Sequence, residues 1–339
     1  MDHKSAFDLI TDFKKHIGLS IYGQENLVNE TLCAFLSGGH IIMTGAPGLA
    51  KTTLVRVFAK YLGLDFGRIQ YTPDLLPSDI TGTELLNVDP SSGKRTFEFK
   101  KGPIFTNLLL ADEINRATPR TQSAMLEAMQ EKKITAAGEE LKLPAPFMVF
   151  ATQNPFESEG TFPLPEAQLD RFLVHSLVDY PDEEAEMKIL SAHDKSELVG
   201  EQRDFTKKDD FHLSTEQIDS LISLASRVTI PEEVLGAISS LVRMTRPEQD
   251  LPESLKGAVW YGAGPRAGLS LVSICKSYAL ICGDECVRWS HVKKMLKPVL
   301  RHRVKLIPSA EREFGGVDKF LEEVVDKIEE KYSNLAKGA

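Results

Sequence analysis

Short apolar runs mark the first half of the chain. Residues 41–43, 108–110 and 147–150 form runs of strand length, and each leads into small or polar residues. Uninterrupted runs of this kind are typical of parallel strands that are buried on both faces. Because helical patterns lie between the runs, the first half of the chain is predicted to fold as an α/β domain around a parallel sheet.

Helical spacing of the apolar residues takes over near Phe172. Residues 191–210 are polar, and they are predicted to link the two regions. The chain is therefore divided into a first domain over residues 1–190 and a smaller all-α domain over residues 211–339. Besides a helix near the C-terminus, the spacing in the second domain predicts helices over residues 218–228, 234–244, 267–281 and 289–296.

Composition is that of a globular protein. The chain has 339 residues, of which 42% are hydrophobic and 26% charged, and this length supports roughly two cores. A net charge of −9 disfavours nonspecific nucleic-acid binding, although a local basic channel stays open. Four cysteines without a C-x₂-C pair fit buried thiols better than a metal cluster. No apolar run approaches the ~18 residues of a membrane span and no signal-peptide core is seen, so a cytoplasmic location is expected.

A phosphate-binding loop follows the first apolar run. Gly45 and Gly48 let the chain turn tightly enough to aim backbone N–H groups at one anion, and a helix beginning near Lys51 adds the positive end of its dipole. Lys51 supplies a cation for the β and γ phosphates, and the Thr52 hydroxyl supplies a ligand for Mg²⁺. The loop predicts nucleoside triphosphate binding, against the alternative of a glycine-rich turn without a ligand. Its sequence is Gly45-Ala46-Pro47-Gly48-Leu49-Ala50-Lys51-Thr52, with Thr53 next.

One residue of the loop departs from the general G-x-x-x-x-G-K-[ST] pattern. Ala50 stands where the second glycine is expected. Its methyl group is tolerable there if the residue has helical φ and ψ angles, and the match depends on that condition.

Two acids close the second apolar run. Asp112 and Glu113 follow residues 108–111 at the carboxyl end of a predicted strand, which is the edge where open α/β sheets bind ligands. Asp112 is predicted to hold Mg²⁺ through its water shell, and Glu113 to orient and polarise the attacking water. An acidic pair after a strand is more often the start of a solvated loop. Its position about 60 residues after the phosphate loop favours the catalytic interpretation.

Asn154 follows the third apolar run and precedes Pro155. At the same sheet edge, its amide is able to hydrogen-bond the γ phosphate or the attacking water. Asn-Pro is also a common start of a turn, so the catalytic interpretation of Asn154 depends on the neighbouring motifs.

Together these motifs resemble those of AAA+ ATPases of the MoxR family, over most of the chain. The resemblance implies an α/β fold, an AAA+ αβα sandwich with a parallel P-loop sheet, followed by a smaller all-α lid domain. It also implies ATP and Mg²⁺ as cofactors, an adenine pocket lined by Tyr22 and Gln24, and alanine at position 50 as a habit of the family. The matching segments are YGQ at 22–24, the loop at 45–52, TPDLLPSDITG at 72–82, GPIF at 102–105, ADEINRA at 111–117, QSAMLEAM at 122–129, ATQNP at 151–155 and LPEAQLDRF at 164–172.

The resemblance also assigns catalytic roles. It implies that Asp112 and Glu113 are the Walker B pair and that Asn154 is sensor 1. Arg266 corresponds to sensor 2 and is expected to contact the γ phosphate from the lid. The family more often has Ser where Gly264 stands, and this difference is minor because the arginine carries the charge.

Three arginines follow the catalytic motifs, and the sequence leaves open which of them acts in trans. The resemblance favours Arg171 as an arginine finger that reaches the nucleotide of a neighbouring subunit. A surface arginine is usually solvated or ion-paired, which is the alternative. For Arg116 and Arg120, a contact to a neighbouring nucleotide and a salt bridge at a subunit interface are equally open.

Two segments resemble insertions of this family, and a third segment is basic. Residues 74–99 resemble the helix 2 insert, and residues 131–146 resemble a β-hairpin before sensor 1. In a ring both are expected to face the pore or one side, where they grip a partner; the alternative is two surface hairpins without a special role. Residues 293–305 are a candidate nucleic-acid patch, but a lid face against a neighbouring subunit is favoured.

The resemblance implies an ATP hydrolase that forms a homo-oligomeric ring, expected to be a hexamer, and remodels or matures client proteins. Proteins of this family often work with von Willebrand factor A domain proteins, so a client of that class is expected without a specific partner being assigned. The alternatives are a nucleic-acid motor, a magnesium-chelatase-like motor subunit and a nucleotide-gated binding module with little turnover. Nucleic-acid-stimulated ATPase activity would indicate the motor, and indifference to the loss of Glu113 would indicate the binding module.

Overall fold

The computed structural model describes residues 1–88, 95–136, 138–156, 160–194, 211–247 and 251–332. The chain forms two compact units, which we call the sheet unit and the helical unit. The predicted linker over residues 191–210 lies mostly outside the described residues, and the predicted domain boundaries stay a prediction. The sheet unit comprises His40–Arg171 and Val178–His212, and the helical unit comprises Met1–Gly39, Phe172–Leu177 and Leu213–Ala339.

The elements are numbered in chain order. The strands are β1 (Ile41–Gly45), β2 (Phe66–Gln70), β3 (Gly82–Val88), β4 (Arg95–Lys101), β5 (Leu108–Asp112), β6 (Lys133–Ala136), β7 (Glu139–Lys142), β8 (Met148–Gln153), β9 (Val174–Val178), β10 (Val259–Tyr261) and β11 (Lys305–Leu306). The helices are α1 (His3–Gly18), α2 (Glu25–Leu36), α3 (Lys51–Leu62), α4 (Pro77–Thr81), α5 (Pro119–Glu131), α6 (Glu166–Leu169), α7 (Glu183–Asp194), α8 (Thr215–Arg227), α9 (Glu232–Met244), α10 (Pro265–Cys282), α11 (Trp289–Leu300), α12 (Pro308–Phe314) and α13 (Val317–Lys331).

A parallel sheet with the strand order β2-β5-β8-β1-β9 is the centre of the α/β part of the fold. The apolar runs at 41–43 and 108–110 are fully buried, as the absence of alternation predicts. Phe150 pairs in register with both Ile41 and Leu110, so β1, β5 and β8 end at the same edge. This confirms the predicted parallel sheet and places the segments that follow these strands together.

Two antiparallel hairpins project from the sheet unit. Strands β6 and β7 form the hairpin predicted over residues 131–146. Strands β3 and β4 form the other, which covers most of the predicted 74–99 insertion and extends two residues beyond it to Lys101. Pro90 and Gly93 of that insertion lie outside the described residues. Leu86 stands opposite Phe97, and their side chains are 49% and 74% exposed. The hairpin therefore presents an apolar pair to solvent.

Helix α10 is the centre of the helical unit. It contacts α1, α2, α8, α9 and α11, and Leu271, Ile274 and Cys275 on it are fully buried. The second region is therefore helical, as expected, with one addition: β10 and β11 form a short antiparallel ribbon that the periodicity does not indicate. Among the described residues, no helix combines the length and apolar character that crossing a membrane requires.

The basic stretch over residues 293–305 is engaged within the helical unit. Lys293 forms a 2.9 Å ion pair with Glu329, and Arg301 a 2.7 Å ion pair with Asp318. The buried Arg303 donates through Nη2 to the Phe172 carbonyl at 2.7 Å. Two cations of the candidate nucleic-acid patch are therefore paired with acids, and a third is buried against a backbone carbonyl.

His40 is a buried histidine between two backbone groups of the sheet unit. The Val149 amide donates to its Nδ1 at 3.0 Å, so Nε2 carries the proton and donates to the Met129 carbonyl at 3.2 Å. Burial lowers the pKa of His40 to about 4. The neutral ring is therefore the form that the fold requires.

We expect His40 to destabilise the fold in acid. An unfolded histidine has a pKa near 6.5, so between about pH 6.5 and 4 the unfolded state binds more protons, and the free energy of unfolding falls by up to about 3 kcal/mol through this group. His40→Asn keeps an acceptor near Nδ1 but cannot ionise, so urea unfolding followed across this range should show a shallower pH dependence. The exposed His212→Asn is the matched control. Equal pH dependence in wild type and His40→Asn would contradict this assignment.

Candidate functional site

A cavity of about 300 Å³ lies at the carboxyl edge of β1, β5 and β8. Nine of the predicted site residues line it, and they come from the loop after β1, the start of α3 and the ends of β5 and β8. Its lining residues are Pro47, Gly48, Ala50, Lys51, Thr52, Thr53, Arg68, Asp112, Glu113, Thr152 and Asn154.

The phosphate loop connects β1 to α3, and α3 begins at Lys51 as predicted. Gly45 is packed so tightly that an added Cβ would lie 2.5 Å from the Val178 carbonyl oxygen, which excludes any side chain there. Gly48 has φ of +83°, in the region that favours glycine. The condition set for Ala50 is not met, because its φ of 57° and ψ of 16° are left-handed and not right-handed helical. The methyl group is accommodated at the cost of local backbone strain.

Lys51 is partly buried beneath the loop. Its Nζ donates to the Gly45 carbonyl at 2.6 Å, which holds the ammonium inside the cavity. Burial lowers the pKa of Lys51, and the charges of Asp112 and Glu113 act in the opposite direction. The side chain is thus an internal cation that faces two acids.

Both carboxylate oxygens of Asp112 have partners in the sheet unit. Oδ1 accepts from the Thr152 hydroxyl at 2.6 Å, and Oδ2 lies 2.8 Å from Nη2 of Arg68. Thr152 is at the end of β8 and Arg68 is in β2, the strands on either side of β5. The orientation of this carboxylate is therefore determined by its two neighbouring strands.

Glu113 follows the last residue of β5 in a left-handed conformation with φ of 57°. Its amide donates to the Thr152 hydroxyl oxygen at 2.8 Å, and that hydroxyl in turn donates to Asp112. Its Oε2 accepts from Gln70 Nε2 at 2.6 Å and lies 3.1 Å from Nε of Arg116. Positive φ is uncommon for a residue other than glycine, and the residues that adopt it are often found at functional sites.

Asn154 is buried at the cavity wall, with 8% of its surface exposed. Its Oδ1 accepts from the Phe156 amide at 3.1 Å. This is a local turn contact, so the turn interpretation holds, and the same side chain also lines the cavity. The two interpretations of Asn154 are compatible.

Family models match both parts of the chain. One, described as the ATPase family associated with various cellular activities (AAA), matches residues 40–174, and another, described as the AAA lid domain, matches residues 255–328. Chaperone MoxR1 of Mycobacterium tuberculosis is 40% identical over 287 residues, which are 84% of this chain and 73% of that protein. The chain belongs to the MoxR family of AAA+ ATPases.

Further relatives extend the match to nearly the whole chain. Protein YeaC of Bacillus subtilis is 36% identical over 314 residues, with 93% of this chain and 92% of that protein covered. Protein MoxR of Paracoccus denitrificans is 30% identical, with 86% and 87% covered. The crystal structure of a candidate ATPase from Cytophaga hutchinsonii superimposes with a TM-score of 0.83 at 36% identity, covering 96% of both chains. The resemblance seen in the motifs is therefore confirmed, and the chain is an ATPase.

Within the sheet unit of this MoxR-family chain, Arg171 is away from the phosphate loop. Its Nη1 donates to the Leu126 carbonyl at 2.8 Å. It lines a separate cavity of about 290 Å³ with Ser123, Leu126, Glu127, Gln130, Glu131 and Gln168. Of the other two candidate arginines, Arg116 is paired with Glu113, and Arg120 is exposed at the start of α5.

The remaining predicted nucleotide contacts belong to the helical unit, and their roles stay predictions. The Tyr22 hydroxyl donates to the Leu19 carbonyl at 3.0 Å, and Gln24 is the N-cap residue of α2. Arg266 is the second residue of α10, directly after the N-cap residue Gly264 and Pro265. A Cβ added at Gly264 would meet no atom within 4 Å, so the serine found in other family members would fit there equally well.

Sequence reasoning missed three polar residues of the cavity network: Arg68, Gln70 and Thr152. Arg68 and Gln70 alternate with the buried Ile69 in β2, so the period-2 pattern was available as a signal. Ile69 is the one buried residue of β2, so the strand has no apolar run by which it could be recognised.

We expect Ala50→Gly to stabilise the chain in the absence of nucleotide. Removing the left-handed strain of alanine gains about 1–2 kcal/mol, and the greater freedom of glycine in the unfolded state offsets about 0.5–1 kcal/mol of it. Ala46→Gly is the matched control, because Ala46 has no positive φ and should only lose stability. Denaturant unfolding measures both, and a decrease in both variants would contradict the strain at Ala50.

Proposed function

We propose that this chain hydrolyses ATP in a Mg²⁺-dependent reaction at the carboxyl edge of its sheet. The observation that carries the proposal is that Lys51, Thr52, Asp112, Glu113 and Asn154 line one cavity. A cation, a hydroxyl, two carboxylates and an amide are the groups that phosphoryl transfer to water requires.

Lys51 and the loop amides bind the phosphates. The Lys51 ammonium is already inside the cavity, where it donates to the Gly45 carbonyl. When nucleotide enters, the ammonium replaces this neutral acceptor with charged phosphate oxygens, which form stronger hydrogen bonds. The N-terminus of α3 begins at the same residue and adds its dipole.

Thr52 and Asp112 fit a Mg²⁺ site by the chemistry of their donors. A hydroxyl and a carboxylate lie in the same cavity wall, and Mg²⁺ prefers oxygen ligands of this kind together with phosphate oxygens and water. When bound, the ion neutralises charge on the β and γ phosphates.

Glu113 acts as the base and Asn154 as a positioning group. The Glu113 carboxylate orients the attacking water and accepts its proton. The hydrogen bond from Gln70 to Oε2 holds that carboxylate, and the Glu113 amide holds the backbone by donating to the Thr152 hydroxyl. Asn154, at the end of the neighbouring strand β8, donates its amide to the γ phosphate or to the water.

We further propose that the chain works in the cytoplasm as a homo-oligomeric ring, a hexamer, that remodels or matures client proteins. Support comes from the relative named Chaperone MoxR1 and from the exposed Leu86 and Phe97 of the β3-β4 hairpin, which offer an apolar grip. Clients with a von Willebrand factor A domain are the class proposed. Arg171 lines a cavity other than the one around Lys51, which is the arrangement expected of a finger that serves a neighbour.

The variant Glu113→Gln tests whether this cavity hydrolyses ATP. Glutamine keeps the shape but cannot take the proton, so we expect Mg·ATP to bind with unchanged affinity in calorimetry while steady-state turnover falls by about 10²–10⁴-fold. Lys51→Ala is the matched control, in which ATP binding itself should be lost or greatly weakened. Unchanged turnover in Glu113→Gln would assign the base to another residue and would favour a binding module or a different site.

Arg171 tests the assembly. A finger supplied in trans stabilises transition-state charge by about 10³–10⁵ in rate, or about 4–7 kcal/mol, and adds little to ground-state binding. Arg171→Ala should therefore bind ATP normally and hydrolyse it poorly, and wild-type specific activity should rise with protein concentration.

Mixing variants separates action in trans from action within one chain. Arg171→Ala retains an intact phosphate loop and Lys51→Ala retains an intact finger, so mixed assemblies should recover part of the activity. No recovery at any ratio, with wild-type activity independent of concentration, would exclude both the ring and the finger.

A further inference from the structure

Arg68 is a second cation in the cavity, and the motifs of the family do not account for it. It lies in β2, which pairs in parallel with β5, and its side chain is 33% exposed. Its Nη2 contacts Asp112 Oδ2 at 2.8 Å and Gln70 Oε1 at 3.0 Å. Arg68 thus neutralises the carboxylate that the proposed function assigns to Mg²⁺.

Gln70 extends this contact to the second acid. Its Oε1 accepts from Arg68, and its Nε2 donates to Glu113 Oε2 at 2.6 Å. Arg68 and Gln70 are two residues apart on one strand, so both side chains face the same side. One guanidinium is therefore connected to both acids, directly to Asp112 and through Gln70 to Glu113.

The charge of Asp112 poses a problem for nucleotide binding without metal. A carboxylate in the cavity wall repels a polyphosphate, and the Arg68 ion pair cancels that repulsion. When the Asp112 carboxylate binds Mg²⁺, the metal ion neutralises its charge, and the contact to Arg68 is no longer needed to reduce the repulsion. The two cations compete for one carboxylate.

We propose that Arg68 is a positioning residue that holds Asp112 in the metal-free pocket and releases it when Mg²⁺ binds with nucleotide. This inference rests on the proposed function. An arginine suits the task because its charge is permanent and its planar donors reach two acceptors at once. The consequence is that Arg68 sets how strongly nucleotide binding depends on Mg²⁺.

The readout is nucleotide affinity, measured by calorimetry with ADP and with ATP in Mg²⁺ and in EDTA. The ratio of the dissociation constant in EDTA to that in Mg²⁺ expresses the metal dependence. In Arg68→Ala the bare Asp112 weakens metal-free binding more than metal-supported binding, so this ratio should rise by about tenfold or more, as expected for loss of a hydrogen-bonded charge pair. Arg68→Gln keeps more of the side-chain volume and should show the same rise.

Two controls isolate the ion pair. In an Asp112→Asn background, Arg68→Ala should leave the ratio unchanged, because the charge that Arg68 neutralises is gone. Arg56→Ala removes another arginine of the sheet unit, one whose guanidinium lies 5.9 Å from the centre of the Phe66 ring, and it should also leave the ratio unchanged.

The outcomes separate the two proposals. A wild-type chain that binds nucleotide more tightly with Mg²⁺, together with an unchanged ratio in both Arg68 variants, overturns the role of Arg68 alone. An equal rise of the ratio in the Asp112→Asn background also overturns it. A wild-type chain that binds no nucleotide in either buffer overturns the proposed function and this inference together.

Discussion

Parallel strand alignment is the constraint on which the site depends. The phosphate loop, the acidic pair and Asn154 come from three separate parts of the chain, and the proposed reaction needs all of them. Because Phe150 is in register with Ile41 on one side and with Leu110 on the other, the strands end together. The buried apolar side chains fix that register, because a shift by one residue would move each of them into a space packed for a different side chain. Packing in the core thus determines the geometry at the edge.

Charge balance is the second constraint on the cavity. Asp112 and Glu113 are adjacent carboxylates, and their charges are compensated by Arg68 and Arg116 at hydrogen-bonding distance. The Lys51 ammonium donates to the Gly45 carbonyl, which is a neutral partner, so that hydrogen bond leaves its positive charge uncompensated. Nucleotide binding in such a cavity exchanges existing polar contacts for new ones. The net affinity is therefore smaller than the sum of the new contacts, because each released partner has to find solvent or another group.

Most of the site followed from the sequence because uninterrupted apolar runs identify buried strands and because small residues at a strand end permit a phosphate loop. Two features did not follow. The left-handed Ala50 depends on how the loop joins α3, and a local pattern does not contain the direction in which a helix leaves its strand. Arg68 and Gln70 were missed because β2 carries polar residues on the face toward the cavity, so the strand lacks the run that marks β1 and β5.

The helical unit shows the same limit for charged residues. Lys293, Lys297 and Arg301 are spaced at four residues and lie on one face of the chain at α11, which the sequence displays as a basic stretch. Their partners Glu329, Glu322 and Asp318 run in the opposite order along α13, as an antiparallel pair of helices requires. Each of these partly exposed pairs contributes little to stability. The spacing of like charges in the sequence predicts which side of a helix is charged, but it does not predict what packs against that side. Here the acidic side of α13, in the same unit, packs against it. The acidic side chains of α13 thus match the spacing of these cations on α11 and neutralise three of the charges in the basic stretch.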